Sequence, residues 1–417
     1  MDKKQLSVRL NGQPVGILKQ TPTGRMVFTY DASAREAISV GMPLREEPYG
    51  EIQTEAYFGG LLPESETVKK IIGKHYGVSH GNSFALLKAI GYDCAGAISC
   101  HALDEPCQES LSFPLTTRVL TDKELCQHIR ELPQKPLFMD VDGLRLSLAG
   151  VQDKAAVCLV DNQIALAENG CPTTHILKPS SPHFENMAEN EYFCLRIAKA
   201  LQLPVPDIQL KKMEDLTFLL IERYDRRIAQ NTVTRVHQED FCQGLGIVST
   251  KKYQNEGGPG FKNCFELLKK SAQPAVDRNH LASVLVFNYL TGNMDAHGKN
   301  FSLLHHPSSG IRLAPFYDIV CTRVYPNLTT KMAMKIGSHY DTKHLLPVHW
   351  EQLCQAIQYR YISMKKLIQE QAESILDIAI RERENLKAMG YPVIVIDRII
   401  KVMEENIRQV SNALAFN

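Results

Sequence analysis

The chain has almost no net charge. Its 47 lysines and arginines meet 46 aspartates and glutamates, a formal balance of +1 over 417 residues. That excludes a global basic field drawing the chain to nucleic acid and leaves only a local patch open. Long apolar runs are missing too. Stretches such as Leu281 to Phe287 and Val393 to Ile396 fall far short of the roughly 20 residues a spanning helix needs. Met1 to Gln5 form no apolar signal region and run into a short alternating segment, so a cytoplasmic protein is expected. The eleven cysteines are an odd, scattered set without a Cys-x-x-Cys pair, which argues against a disulfide framework and for a reducing compartment. Cys94, Cys100 and Cys107, with His101, are spaced too loosely for a zinc site, and buried or incidental thiols are the better reading. There is no Walker A sequence, no Gly-x-Gly-x-x-Gly loop, no repeat and no low-complexity segment.

What is present is bulk and pattern. With 44% hydrophobic residues, the chain can fill two or three domains. Leu6, Val8 and Leu10 alternate with polar positions, and Asn11-Gly12 is a hairpin signal. Val15 to Leu18 and Met26 to Phe28 follow as strands, and short helices are expected around 67–72 and 82–90. A compact subdomain ends near residue 110. A helix is expected over 115–132, with Asp122 capping it. Strands follow at Ala155 to Val160, turned by Asp161-Asn162, at Thr174 to Lys178, and at 208–210 and 216–221, with a helix over 187–201 between them. Beyond residue 225 helices are expected at 239–245, 264–270 and 280–290. Two packing helices follow in the tail, parted by Gly390 and Pro392. A strand-rich half thus precedes a helix-rich half, as in a two-lobed nucleotide enzyme or many other α+β proteins.

The most informative segment is Asn293-Met294-Asp295-Ala296-His297-Gly298-Lys299-Asn300, with Asp318 downstream. An acid, an amide five residues on and a second acid eighteen residues later is the order in which phosphoryl-transfer enzymes set a base and two magnesium ligands. Asp295 can orient an acceptor hydroxyl and take its proton. Asn300 and Asp318 supply the hard oxygens magnesium prefers. Lys299 can offset phosphate charge, and His297 can order the loop or touch phosphate. The competing reading is a capped polar turn, and for Asp318, expected at the end of an apolar strand, a turn aspartate. Lys178 closes a strand and either holds phosphates or is merely solvated. Glu191 opens the next helix and either pairs with that lysine or answers the helix dipole. In Ser147 to Lys154, Gly150 permits a phosphate-facing turn, with Gln152 and Lys154 as further contacts. At Leu219 to Arg226, where strands give way to helices, a hinge is expected. There Tyr224 can lie against an adenine ring, or Asp225 simply pairs with Arg223 or Arg226. Lys251 to Gly260 reads as a bendable loop, bordering an acceptor cleft or only mobile.

Together these motifs resemble the HipA-type serine/threonine kinases, the toxin partners of bacterial type II toxin–antitoxin pairs. The resemblance runs through Asn11 to Glu64, Ser147 to Lys154, Thr174 to Pro179, Glu189 to Cys194, Glu222 to Arg226, His237 to Gly246, Lys252 to Pro259, Asn293 to Asn300, Pro315 to Asp318 and Lys331 to Ile336. It implies an α+β, bilobal protein-kinase-like fold. Residues 1–110 would form a family-specific N-terminal subdomain, 111–225 a strand-rich ATP-binding lobe and 226–417 a helical lobe with the catalytic and metal-binding loops. It implies Asp295 as base, Asn300 and Asp318 on Mg2+, and Lys178 on the ATP phosphates. Val151, Gln152, Lys154, His297 and Lys299 would contribute to the nucleotide site, Glu222 and Tyr224 to the adenine hinge, and Ser147 would be autophosphorylated. The implied acceptor is an aminoacyl-tRNA synthetase, glutamyl-tRNA synthetase foremost. The implied partner is a small HipB-like helix-turn-helix antitoxin that carries the contact with operator DNA. Gly292-Asn293-Met294 precedes the base instead of the His-Arg of most kinases, so family-specific contacts must hold this loop. A small-molecule kinase, or an ATP-binding corepressor without kinase activity, are the competing functions.

Overall fold

The structure is a computed structural model describing residues 4–103, 112–138, 153–168, 170–306 and 308–415. The chain divides into two compact units. One comprises Met1–Pro179, Lys211–Thr250 and Ser302–Gly310, the other Ser180–Leu210, Lys251–Phe301 and Ile311–Asn417.

The first unit is built on antiparallel sheets. Met26–Tyr30, Gln13–Gln20, Gln5–Leu10 and Ile98–Ala102 lie side by side in that order. Asn11 (φ 51°) and Gly12 (φ 78°) make the expected turn, whose left-handed backbone suits asparagine and glycine. The fourth strand, Ile98–Ala102, was not foreseen; its buried thiol and apolar side chains pair against Leu6 to Leu10. A second sheet contains Leu216–Glu222, His175–Pro179, Ala155–Val160, Gln163–Ala167 and Thr117–Val119 in that order. Asp161 and Asn162, both at positive φ, turn its central hairpin. Two expectations shift here. Residues 117–119 are strand, and Thr121 rather than Asp122 caps the helix Asp122–Glu131, through a reciprocal box with Glu124. Glu239 lies in the strand His237–Asp240, and Asp240 caps the helix Phe241–Leu245.

The segment after Glu222 does not pass directly into helices. The strands Arg226–Ala229, Thr232–Arg235 and His237–Asp240 intervene. Arg223, Asp225, Arg226 and Arg235 are buried there with Asp93. Arg223 grips Asp225 with two bonds, at 3.0 and 2.9 Å. Arg226 reaches Asp93 at 2.7 Å and Asp225 at 3.0 Å, and Arg235 reaches Asp93 at 3.2 Å. Backbone groups complete the set. The Gly96 N–H donates to Asp225 at 2.6 Å, Arg223 and Arg226 both donate to the Cys94 carbonyl at 3.2 Å, and Arg226 donates to the Gly96 carbonyl at 2.8 Å. Gly96 sits at φ +73°, and a Cβ there would come within 2.5 Å of the Gln238 nitrogen. Burial works to raise the Asp93 carboxyl, but Arg226, Arg235 and Arg223 outweigh it and hold it well below the usual carboxylate range. The same contest lowers Asp225. Burial and the neighbouring Arg223 push Arg226 down to about 10, so the surplus positive charge of the cluster is felt there.

The second unit is mainly helical. Its central helix, Pro274–Thr291, starts with Pro274 and buries the first-turn acid Asp277, which Arg312 grips through its Nε (3.0 Å) and Nη2 (2.9 Å) and the Leu313 N–H meets at 3.0 Å. Tyr361–Ala388 and Ile394–Leu414 are the expected tail helices, and they do more than pack. Gln371 donates to the Ser283 carbonyl at 2.9 Å. Asn406, fully buried, donates to the Tyr289 and Leu290 carbonyls at 2.9 and 3.2 Å in the last turn of the central helix. Cys94 and Cys100 are buried free thiols, and Cys107 lies outside the described residues. Among the described residues no group of three or more His, Cys, Asp or Glu is set to hold a metal, and no helix is long and apolar enough to cross a membrane.

Removing one carboxylate from the buried cluster leaves guanidinium groups without a counter-charge. The Asp93→Ala protein is expected to lose about 3–5 kcal/mol of unfolding free energy. Urea denaturation followed by circular dichroism reads this as an earlier transition, and an unmoved transition contradicts it.

Candidate active site

The central helix ends at Gly292, whose φ of +76° turns the chain and whose hydrogen atom faces Val402; a Cβ there would approach Val402 Cγ1 to 2.7 Å. The loop that follows is held at nearly every residue. Asn293 donates its side-chain amide to Asn288 at 3.0 Å and accepts the Asp295 N–H at 3.1 Å. The Met294 N–H donates to the Thr322 hydroxyl at 2.9 Å, and its carbonyl accepts the Ala333 N–H at 2.8 Å. Thr322 in turn donates to the Gly292 carbonyl at 3.4 Å. Met294 is buried, so a thioether side chain and backbone bonds do the anchoring here. These are the contacts that stand in for the missing His-Arg pair.

Past Asp295, its carbonyl accepts the His297 N–H at 2.8 Å and the Asn300 side-chain amide at 3.3 Å. That second bond assigns the Asn300 amide: its nitrogen is committed to the backbone, and its oxygen is the atom left to face a cation. Asp318 is half-buried and does not end a strand. The strand closes at Leu313, and Asp318 stands in the irregular segment beyond it at φ +53°. Leu313 stops the strand because the following Ala314-Pro315 removes a ladder donor. A left-handed aspartate is uncommon backbone geometry. The two segments meet directly: the hydroxyl of Tyr317 donates to the Lys299 carbonyl at 2.6 Å, so the neighbours of Asp318 and Asn300 are bonded to each other. One amide oxygen and one carboxylate fit magnesium, which takes few protein oxygens and fills its octahedron with phosphate oxygens and water. Lys299 and His297 are buried within this loop.

Tyr253 was passed over in the sequence except as part of a bendable loop. Its hydroxyl donates to Asp295 Oδ1 at 2.7 Å, and its ring stands edge-on to His297 with centroids 5.1 Å apart. Only its place in the Lys-Lys-Tyr run of a glycine-rich loop could have drawn notice. Tyr317 and Thr322 were likewise missed, although Tyr317 directly precedes the predicted ligand.

In the first unit, Lys178 lies on His175–Pro179 opposite Leu219 and is 4% exposed, which excludes the merely solvated reading. Glu222 is exposed at the end of its strand. Tyr224 is half-buried, and its hydroxyl donates to Gln238 at 2.7 Å. The residues on either side of it, Arg223 and Asp225, are both fixed in the buried ion cluster. Lys154 is half-buried just ahead of its strand. Ser147, Gly150, Val151 and Gln152 lie outside the described residues. Glu191 is buried in the second turn of Met187–Ala200, in the second unit.

Residues 6–101 match the HipA N-terminal domain, and residues 146–379 match the HipA-like C-terminal domain. The chain belongs to the HipA family. The protein Y4mE of Sinorhizobium fredii (strain NBRC 101917 / NGR234), named as a candidate kinase, is 40% identical over 359 residues, covering 84% of this chain and 85% of its own. The serine/threonine-protein kinase toxin HipA of Shewanella oneidensis (strain MR-1) is 33% identical over 302 residues, covering 69% of this chain and 68% of its own. In three dimensions the chain matches one from the Shewanella oneidensis MR-1 complex of HipA, HipB and operator DNA, with a TM-score of 0.83, 26% identity, and 99% and 98% of the two chains covered. The fold is the mixed α+β, kinase-like fold of HipA proteins.

Thr322 anchors this HipA loop through one hydroxyl. The isosteric Thr322→Val change leaves the buried Met294 N–H without its acceptor and is expected to lower stability by about 1–3 kcal/mol. A thermal or chemical unfolding measurement that finds no change contradicts this anchoring role.

Proposed function

We propose that this chain is an ATP-dependent serine/threonine protein kinase toxin. The reading is supported by the bond from Tyr317 to Lys299, which joins the immediate neighbours of Asp318 and Asn300, in a chain whose relatives carry kinase names. In this reading Asp295 orients a seryl hydroxyl and accepts its proton as the oxygen bonds to the γ-phosphorus, while the bond from that phosphorus to the β,γ-bridging oxygen breaks and ADP leaves. Asn300 Oδ1 and the Asp318 carboxylate would hold Mg2+, which when bound would offset charge on the phosphate oxygens. Lys178 meets the ATP phosphates, with Lys154, Gln152 and Val151 beside them. Lys299 and His297 are assigned to phosphate contact from the second unit's loop. Glu222 and Tyr224 border adenine, with Tyr224 steadied by Gln238 and by the ion cluster on both sides of it. Catalysis on this account is positioning plus electrostatic stabilisation.

Residues 1–110 act as the family's N-terminal subdomain, 111–225 as the nucleotide lobe and 226–417 as the catalytic lobe. Autophosphorylation at Ser147 adds roughly two negative charges to a segment that otherwise serves phosphate, and so switches the enzyme off. The acceptor class is a cytosolic aminoacyl-tRNA synthetase, glutamyl-tRNA synthetase foremost, so phosphorylation would inhibit translation. A HipB-like helix-turn-helix antitoxin is the partner, as suggested by the Shewanella complex. The formal charge of +1 fits a chain that meets operator DNA mainly through that partner.

With γ-labelled ATP, magnesium and bacterial lysate, the wild-type chain is expected to label itself and a discrete acceptor protein. Asp295→Asn is expected to lower that transfer by about 10²–10⁴-fold while ATP still binds. A variant with full transfer contradicts the role of Asp295. Label confined to small molecules would favour a small-molecule kinase, and ATP binding without any transfer by the wild type would favour a corepressor.

A further inference from the structure

Resting on the kinase reading of Asp295, we propose that Tyr253 is a positioning residue for the base. Its hydroxyl donates to Asp295 Oδ1 at 2.7 Å, a short bond from a neutral donor to a carboxylate. An aspartate carboxylate turns readily about its last torsion, and a hydroxyl donated to Oδ1 constrains that turn. A donor on one oxygen fixes the plane of the carboxylate, and with it the direction from which the acceptor hydroxyl must approach.

The loop carrying Tyr253 is built to hold that donor still. The carbonyl of Tyr253 accepts the N–H groups of Glu256 and Gly258, at 3.0 and 2.8 Å. The carbonyl of Lys252 accepts the Gly298 N–H, from the base loop itself, at 3.3 Å. Gln254 accepts the Lys335 N–H at 2.8 Å. Gly258 can be nothing larger, because a Cβ there would run into the carbonyl oxygens of Lys251 and Tyr253. The ring packs edge-on against His297, and the Lys252 ammonium lies 5.3 Å from its centroid. A loop pinned on both sides of one tyrosine, with its hydroxyl on the base, is a supporting shell for that base. It is not the arrangement of a lid held by the tyrosine alone.

Tyr253→Phe keeps the ring, its contact with His297 and its place beside Lys252, and removes the hydroxyl. The test measures transfer from γ-labelled ATP, with magnesium, to the full-length chain itself and to purified glutamyl-tRNA synthetase. Four proteins are compared: wild type, Tyr253→Phe, Asp295→Asn and the double variant. The expected result is a fall in kcat of about 10–100-fold for Tyr253→Phe, with the KM for ATP and the melting temperature unchanged. The double variant should be no slower than Asp295→Asn, because the tyrosine acts only through the aspartate. Wild-type turnover in Tyr253→Phe, faster turnover, or a double variant slower than Asp295→Asn overturns the proposal. Should Tyr253→Phe melt early, the double-variant comparison still decides. An active wild type with an inactive Asp295→Asn and an unimpaired Tyr253→Phe removes this inference alone. A wild type that labels nothing removes the kinase reading and this inference with it.

Discussion

Three guanidinium groups buried around two carboxylates are the constraint on which the first unit depends. Asp93 comes from the N-terminal HipA domain. Arg223, Asp225, Arg226 and Arg235 come from the C-terminal one. Burial of so many charges is costly, and replacing a buried ion pair by apolar residues is often neutral or stabilising. A cluster of this kind is better understood as fixing geometry than as adding stability. Here it sets the backbone on both sides of Tyr224, and Gly96 must lack a side chain for the approach to occur. The N-terminal domain and the expected adenine hinge therefore form one electrostatic assembly within this unit.

The second unit solves a different problem by a similar means. The loop 293–300, which lacks the His-Arg pair of most kinases, has its backbone groups paired elsewhere. Asn288, Thr322 and Ala333 supply the partners, and Asn406 and Arg323 extend the frame: Asn406 donates to the Tyr289 and Leu290 carbonyls and accepts from Arg323 at 2.6 Å. The tail helix thus reaches the last turn before Asp295. The strained backbone of Asp318 and the bond from Tyr317 to Lys299 complete the same frame. In both units hydrogen bonds made by neighbouring residues fix the backbone around the candidate site residues.

Local signals were the legible ones. Asn11-Gly12 and Asp161-Asn162 announced their turns because left-handed backbone favours these residues, and the apolar periods of the tail marked two real helices. The acid–amide–acid order drew attention to a loop whose backbone the structure shows to be closely bonded. Errors arose where two local rules competed. Thr121 outbid Asp122 as the cap because Glu124 could answer it, and Glu239 went into a strand that pairs with Ser302–His306. Asp318 stands beyond the strand end because Pro315 interrupts the apolar run that precedes it. The ion cluster was invisible beyond Asp225 and its adjacent arginines, since Asp93 lies 133 residues from Arg226. The Tyr253–Asp295 bond spans 42 residues and leaves no periodic trace.

The central claim is that Asp295 serves phosphoryl transfer to protein serine. Its most direct test is a phosphoproteomic comparison of cells expressing the wild-type chain with cells expressing Asp295→Asn at equal abundance. The account predicts phosphoserine on Ser147 and on a synthetase peptide in the wild-type cells, absent with Asp295→Asn. Identical phosphopeptide sets in the two would contradict it.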